Sequence, residues 1–200
     1  EISDYLDSEY KSRIAYIISK IKEITSDLYD EKDPYNMQIL GPVKNGHCGI
    51  FDINEHIQKL LNHNPVEMYY GKRTYKLNDK VILNKNNYGE GYFNGDLGTI
   101  TTIESNRIEI TTDDKVIELT QRNYEDMQLA YATTIHKAQG SEFPNCIIVL
   151  PNRGGNMLNR NLLYTAVSRA KKKVYIINQD NVLEKAISNI KAYKRNTRLK

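Results

Sequence analysis

Between residues 69 and 127 the apolar residues stop recurring at helical spacing and begin to alternate, and beyond 127 the helical spacing returns. A period of two and a period of about 3.6 bury different faces of the chain, so one architecture cannot run through both changes. The alternating region reads as short strands at 81–83 (VIL), 99–103 (TITTI), 107–111 (RIEIT) and 115–119 (KVIEL). Turn signals separate them at Asn94-Gly-Asp, Glu104-Ser-Asn and Asp113-Asp114. Four or five strands in so short a stretch predict a small closed barrel, which divides the chain into 1–68, 69–127 and 128–200.

The flanks read as alternating helix and strand. Residues 5–28 place Leu6, Tyr10, Ile14, Ile17, Ile18, Ile21, Ile24 and Leu28 on one helical face, with Asp4 as the expected N-cap. A short buried strand at 37–40 leads into Gly41-Pro-Val-Lys-Asn-Gly46, which has the G-x-x-x-x-G frame of a phosphate-cradling loop. His47 and Cys48 stand where such a loop needs Lys and Ser or Thr, so the frame reads as a turn into a helix. Asp52 is its expected cap, Glu55 follows three residues on, and Ile53, Ile57, Leu60 and Leu61 share a face. Beyond the barrel, 129–132 and 146–150 are apolar enough for strands buried on both faces. Residues 152–156 read as a loop and 159–173 as a helix with Leu162, Leu163, Ala166 and Val167 inward. A strand follows at 174–177. A last helix, capped by Asp180, carries Val182, Leu183, Ala186, Ile187 and Ile190, and 192–200 form a basic tail. Strand and helix alternating in this way predict a doubly wound, mainly parallel α/β sheet.

Composition excludes several classes. The longest apolar runs fall far short of the roughly twenty residues that span a bilayer, and no signal-peptide pattern opens the chain. The cytoplasm is therefore the expected compartment, with no membrane partner. Cys48 and Cys146 are too isolated for a disulfide framework and read as buried thiols, and the four histidines make no metal spacing. A formal charge of +3 permits a nucleic-acid partner without requiring one. The chain opens at Glu1, directly in a helical pattern, and is expected to be a piece of a longer protein.

Two stretches carry the chemistry. Residues 131–142 (YATTIHKAQGSE) place two hydroxyls, a histidine, a lysine, a glycine and a carboxylate just beyond an apolar strand, at the edge where open α/β sheets bind ligands. Gly140 allows a backbone to approach closely, and Glu142 can accept hydrogen bonds from hydroxyls such as those of a ribose. Residues 162–171 (LLYTAVSRAK) put Arg169 just past an apolar helical face. These stretches resemble the fifth and sixth motifs of superfamily-one DNA helicases of the RecD-like and TraA-like group, in the family's order and at about its spacing. With Asn94-Gly-Asp-Leu-Gly98 the resemblance covers roughly residues 36–180.

The resemblance implies a second RecA-like lobe, of the P-loop NTPase type without the P-loop, carrying an inserted barrel like that of Src-homology-3 domains. It implies an ATP-dependent helicase moving five-prime to three-prime on single-stranded DNA. Arg169 would reach across a cleft to the γ-phosphate, where a guanidinium fork neutralises developing charge. Gln139, Gly140 and Glu142 would face the nucleotide. Thr133, Thr134, His136 and Lys137 would contact strand phosphates, and Asn86, Tyr88 and Asn94 on the barrel hairpin would contact the nucleic acid. An ordinary turn, with Asn94 and Gly95 in left-handed backbone angles, is the alternative for that hairpin. Lys171 to Lys173 are expected to answer the dipole at a helix C-terminus. The chain has no Lys-Ser/Thr loop, no Asp-Glu pair after an apolar strand and no glutamine-based adenine motif. ATP and magnesium would therefore be bound mainly by a companion RecA-like lobe upstream. Other exonuclease or repair subunits, as in an exodeoxyribonuclease V-like complex, are further implied partners. The competing class is a catalytically silent module that holds single strands by charge and stacking, for which the fifteen tyrosines are suited.

Overall fold

The computed structural model describes residues 2–30, 33–46, 48–152 and 158–189, with side chains for all of these except 2–8 and 10. The chain divides into two compact units, Glu1–Asp52 with Thr133–Lys200, and Ile53–Ala132. Among the described residues no helix is long and apolar enough to cross a membrane.

Helix α1 spans Ile2–Leu28, so the cap expected at Asp4 falls inside the helix. It buries Ile14, Ile17 and Ile21, three positions of the stripe read from the sequence. Strand β1, Met37–Gly41, is buried along its whole length. Helix α2 runs Ile50–Leu61, two residues earlier than the cap expected at Asp52, which instead lies in the first turn. The preceding loop explains the early start. Its own carbonyls take the first amides, with Gly49 N donating to Gly46 O (2.9 Å), Ile50 N to Val43 O (3.1 Å) and Phe51 N to Lys44 O (3.2 Å). Amides used in this way cannot cradle a phosphate, which agrees with the missing Lys and Ser/Thr; His47 lies outside the described residues. A Cβ on Gly49 would stand 2.7 Å from Lys44 O, so only glycine closes this loop.

In the second unit β2 (Glu67–Tyr70) pairs with β3 (Arg73–Lys76), a hairpin whose strands are too short and polar to stand out in sequence. Strands β4 (Lys80–Leu83), β5 (Leu97–Ile103), β6 (Arg107–Thr111), β7 (Val116–Thr120) and β8 (Met127–Leu129) form an antiparallel sheet in the order β7-β6-β5-β4-β8. Val81, Leu83, Ile100, Ile108, Ile110, Ile117, Leu119 and Met127 of these strands meet in one cluster, joined by Tyr75 of β3 and by Tyr92 and Tyr124 from the connections. Gly98 on β5 is required by close packing, since an added Cβ would stand 2.3 Å from Ile110 Cγ2.

Returning to the first unit, β9 is Ala132–Thr134, β10 Phe143–Leu150 and β11 Ala170–Asn178; helices α3 (Arg160–Val167) and α4 (Val182–Ser188) flank β11 in sequence. The four lobe strands lie in the order β11-β10-β1-β9, with β1 and β11 both parallel to β10. Three expectations are corrected here. The apolar run at 129–132 is not one strand: Leu129 belongs to β8 of the antiparallel sheet and Ala132 opens β9. The helix expected over 159–173 stops at Val167, because parallel pairing with β10 begins at Phe143 and Ala170 and outweighs the helix propensity of Ala-Lys-Lys-Lys. Lys171 to Lys173 are thus exposed strand residues rather than a helix C-terminus. The last helix is not capped by Asp180. Its N-cap is Asn181, left-handed at φ 56°, and Asn178 Oδ1 accepts the Leu183 amide at 2.9 Å. Ile190, the basic tail and most of the loop at 152–156 lie outside the described residues. Cys48 and Cys146 are buried thiols not joined in a disulfide.

Candidate nucleotide and nucleic-acid site

Residues 133–142 leave β9 and fold into a turn held by its own backbone. The Thr134 carbonyl accepts Lys137 N at 3.0 Å and Ala138 N at 3.1 Å, and Thr134 Oγ1 accepts Lys137 N at 3.3 Å. Ser141 N closes on Ala138 O at 3.1 Å, and Ile135 N donates to Gly41 O at 3.0 Å, which brings the ends of β1 and β9 together. Ile135 and Ala138 point inward and are buried, while His136, Gln139, Gly140 and Glu142 are exposed. Thr133 and Thr134 are 5% and 8% exposed, and the Thr134 hydroxyl is taken up by the turn itself. Gly140 sits at φ +89° with nothing within 4 Å of an added Cβ; it is required for its backbone angle rather than for space.

Arg169 lies in the turn between α3 and β11, not on the helix. Its Nη1 donates to Ser141 O at 3.2 Å, its Nε to Thr165 O at 3.2 Å and its Nη2 to Ser168 Oγ at 3.1 Å. Its own carbonyl accepts Phe143 N at 2.8 Å. The arginine is thereby fastened at both its backbone and its side chain to the segment that follows Gln139 and Gly140. Beside it, Glu142 Oε2 is 3.4 Å from Lys171 Nζ, with both side chains 58% exposed. A pair this open contributes about 0–1 kcal/mol and exchanges readily for a ligand.

Lys137 differs from its neighbours. Its Nζ is buried and has no hydrogen-bond partner among the described residues. Burial, with the charge of Lys44 added to it, lowers the ammonium to about 8. Lys44 itself is exposed on the loop between β1 and α2.

In the second unit the loop between β4 and β5 is anchored by Tyr92, fully buried, whose hydroxyl donates to Asp126 Oδ2 at 2.7 Å. Asn86 Oδ1 accepts Asn94 N at 2.8 Å, so Asn86 works as a brace. Only Gly95 of the Asn94-Gly95 pair has positive φ (103°), which corrects the left-handed angle expected for Asn94. Tyr88, 80% exposed, meets Phe93 edge-to-face with centroids 5.7 Å apart, and Lys115 Nζ lies 5.0 Å above the Phe93 ring. Phe93 opens the Phe93-Asn-Gly-Asp96 stretch that resembles the family's hairpin, but the sequence does not show which way its ring faces.

One set of residues escapes sequence reasoning altogether. Asn54, Gln58 and Asn62 form a buried polar ladder along α2. Asn54 holds the Ala132 backbone at both groups, donating to its carbonyl at 2.9 Å and accepting its amide at 2.8 Å. Gln58 reaches Asp79 Oδ2 at 2.5 Å and Thr74 O at 3.0 Å; Asn62 reaches Asp79 Oδ1 at 2.7 Å and Leu77 O at 2.9 Å. Tyr131 Oη adds 2.9 Å and Lys76 N 2.6 Å to the same carboxylate. Burial pushes Asp79 above the usual carboxylate range, and these donors pull against it. The signal is present as a spacing of four, but polar residues at that spacing ordinarily mark a solvated face. Among the described residues no three His, Cys, Asp or Glu could hold a metal.

Comparison with known proteins decides what the geometry belongs to. Residues 53–117 match the SH3 domain of ATP-dependent RecD-like DNA helicases, and residues 129–177 the UvrD-like helicase C-terminal domain. The chain carries a RecD-like SH3 domain and a UvrD-like helicase C-terminal domain. It is 36% identical over 142 residues to an ATP-dependent RecD2 DNA helicase of Deinococcus radiodurans, covering 71% of this chain and 20% of that protein. It is 27% identical over 192 residues to a RecBCD enzyme subunit RecD of Buchnera aphidicola, covering 90% and 32%. The chain thus spans a third or less of these relatives. In fold it resembles a Pif1 helicase from Candida albicans (TM-score 0.51, 13% identity, 78% of this chain and 48% of that one). A Bacteroides Pif1 helicase solved with ADP-AlF3 and single-stranded DNA also shares the fold (TM-score 0.50, 19% identity, 73% and 43%). The fold is a RecA-like α/β lobe with an SH3-like domain.

Proposed function

We propose that the chain is the C-terminal motor lobe of an ATP-dependent DNA helicase that moves five-prime to three-prime along single-stranded DNA and supplies the arginine finger. The observation that carries this is the Arg169 guanidinium bonded to the Ser141 carbonyl, which joins the two motif segments in one place. ATP, held with its magnesium mainly by a companion RecA-like lobe, supplies the free energy of γ-phosphate hydrolysis. Gln139, Gly140, Glu142 and Arg169 are the residues of this chain that face it. Arg169 needs only to exchange neutral partners for a phosphate, and a charge-assisted, bidentate contact is the stronger bond. Loss of its three internal hydrogen bonds costs little if each is replaced. The exposed His136, with Lys137, meets strand phosphates and fixes position without reading sequence. Thr134 acts by holding that turn, with Thr133 buried beside it, and Asn86 by bracing the hairpin that presents Tyr88 and Asn94. Membership of an exodeoxyribonuclease V-like complex and a cytoplasmic location complete the proposal.

A second reading, a silent binding module, is favoured by one observation, the exposed Tyr88–Phe93 pair with Lys115 beside it. Such a pair suits stacking on bases. The test is single-strand binding by the helicase at several salt concentrations. Changing His136 to Ala should weaken binding to all sequences alike at each salt concentration, as the loss of a backbone contact does. Unchanged affinity would remove His136 from the DNA track. The 200-residue chain alone should show no DNA-stimulated ATP turnover, because it has no Lys-Ser/Thr loop.

A further inference from the structure

We propose that Lys137 and Lys44 form a two-ammonium seat for a phosphate oxyanion at the edge of the lobe sheet where β1 and β9 end. The proposal rests on the reading above for its ligand class, and goes beyond it in assigning Lys44 and in treating the pair as one site. Geometry brings the loops together: Ile135 N donates to Gly41 O, so the segment carrying Lys137 and the segment carrying Lys44 leave the sheet side by side. The Lys137 main chain is fixed by Thr134, which accepts its amide at both oxygens, and this sets where the side chain starts. The ammonium at its end is buried without a partner among the described residues. A buried cation left in this way is unfavourable unless an anion meets it.

Among the described residues no carboxylate fills that role. The acid next in sequence, Glu142, pairs with Lys171. The charge felt at Lys137 is a second cation, Lys44. Two like charges that act on one another, one buried and one at the rim, repel, and an anion between them relieves that repulsion. The loop bearing Lys44 contributes no backbone amides from its end, since Gly49, Ile50 and Phe51 N are bonded within the loop and helix start. The seat is therefore built from side-chain point charges, which suit a compact phosphate group. That phosphate has two sources, the backbone of a single strand or the terminal phosphate of a nucleotide.

The test measures affinity for oligo-dT and for ATP in the intact helicase, with inorganic phosphate as a competitor. Lys44→Met, at an exposed position, keeps the fold, and Lys137→Met removes the buried charge. Each should weaken one ligand about tenfold or more, the range for losing a charge-assisted bond, and the double variant should cost less than the product of the two. Loss confined to oligo-dT assigns the seat to the strand; loss confined to ATP assigns it to the nucleotide. Phosphate should compete with that same ligand. Unchanged affinity for both ligands in Lys44→Met overturns the seat. If His136→Ala weakens oligo-dT while both lysine variants bind normally, the seat fails and the DNA reading stands.

Discussion

The polar side chains that α2 buries against Asp79 and Ala132 and those of the turn at 133–142 are put to opposite uses. In the former, the ladder on α2 and the Asp79 carboxylate saturate one another, and every bond named lies between 2.5 and 3.0 Å. In the latter, His136, Gln139 and Glu142 face solvent, and the Lys137 ammonium is buried without a partner among the described residues. Buried polar groups that serve folding are satisfied within the chain, because an unsatisfied one costs about 1–3 kcal/mol or more. Groups kept for a ligand are left open and carry that cost until the ligand arrives. The difference separates scaffold from site within neighbouring stretches of one chain.

The comparison is broken most severely at Asp79. Replacing it with Leu removes one acceptor each from the Gln58 and Asn62 amides, the Tyr131 hydroxyl and the Lys76 backbone amide. Denaturant unfolding should show a loss of about 3–5 kcal/mol, the range for removing one partner from a buried charged network. Asn54→Ala should come next, at about 1–3 kcal/mol, since it leaves the Ala132 amide and carbonyl without their side-chain partner. If either change is silent, the ladder is decoration rather than scaffold. Changes in the turn should go the other way. His136→Ala and Gln139→Ala should leave stability within about 0.5 kcal/mol by the same measurement, as exposed side chains do.

The contrast is sharpened further through pH. Lys137 titrates at about 8 in the folded chain against 10.5 for an ordinary lysine. Between these values the unfolded chain binds the extra proton, so stability should rise with pH across that window. Lys137→Met should flatten that slope. A slope that survives the substitution would place its cause elsewhere.

How much of this can be read from the sequence follows the same division. The alternating stretch, the α1 stripe and the buried β10 run are legible because burial writes its period into the chain. The extent of β11 is not: Ala170 to Lys173 favour a helix locally, and only pairing with β10 makes them a strand. The motif residues are legible through resemblance, yet burial assigns them different work, with Thr133 and Thr134 inside the turn and His136 outside it. Asn54 and Gln58 are invisible as scaffold because their partners, Ala132 and Asp79, are far away in sequence. Lys44 stays hidden for a similar reason, since its meaning depends on a lysine in another loop.

The central claim is that Arg169 leaves its tether at Ser141 to meet phosphate. The direct measurement is single-strand-stimulated ATP turnover by the intact helicase carrying Arg169→Ala, with DNA affinity measured on the same protein. Turnover should fall about a thousandfold or more, as when an arginine finger is removed, while DNA affinity changes little. Near-normal turnover would contradict the account, and Arg169 would then be a brace between Thr165 and Ser141 with no part in the chemistry.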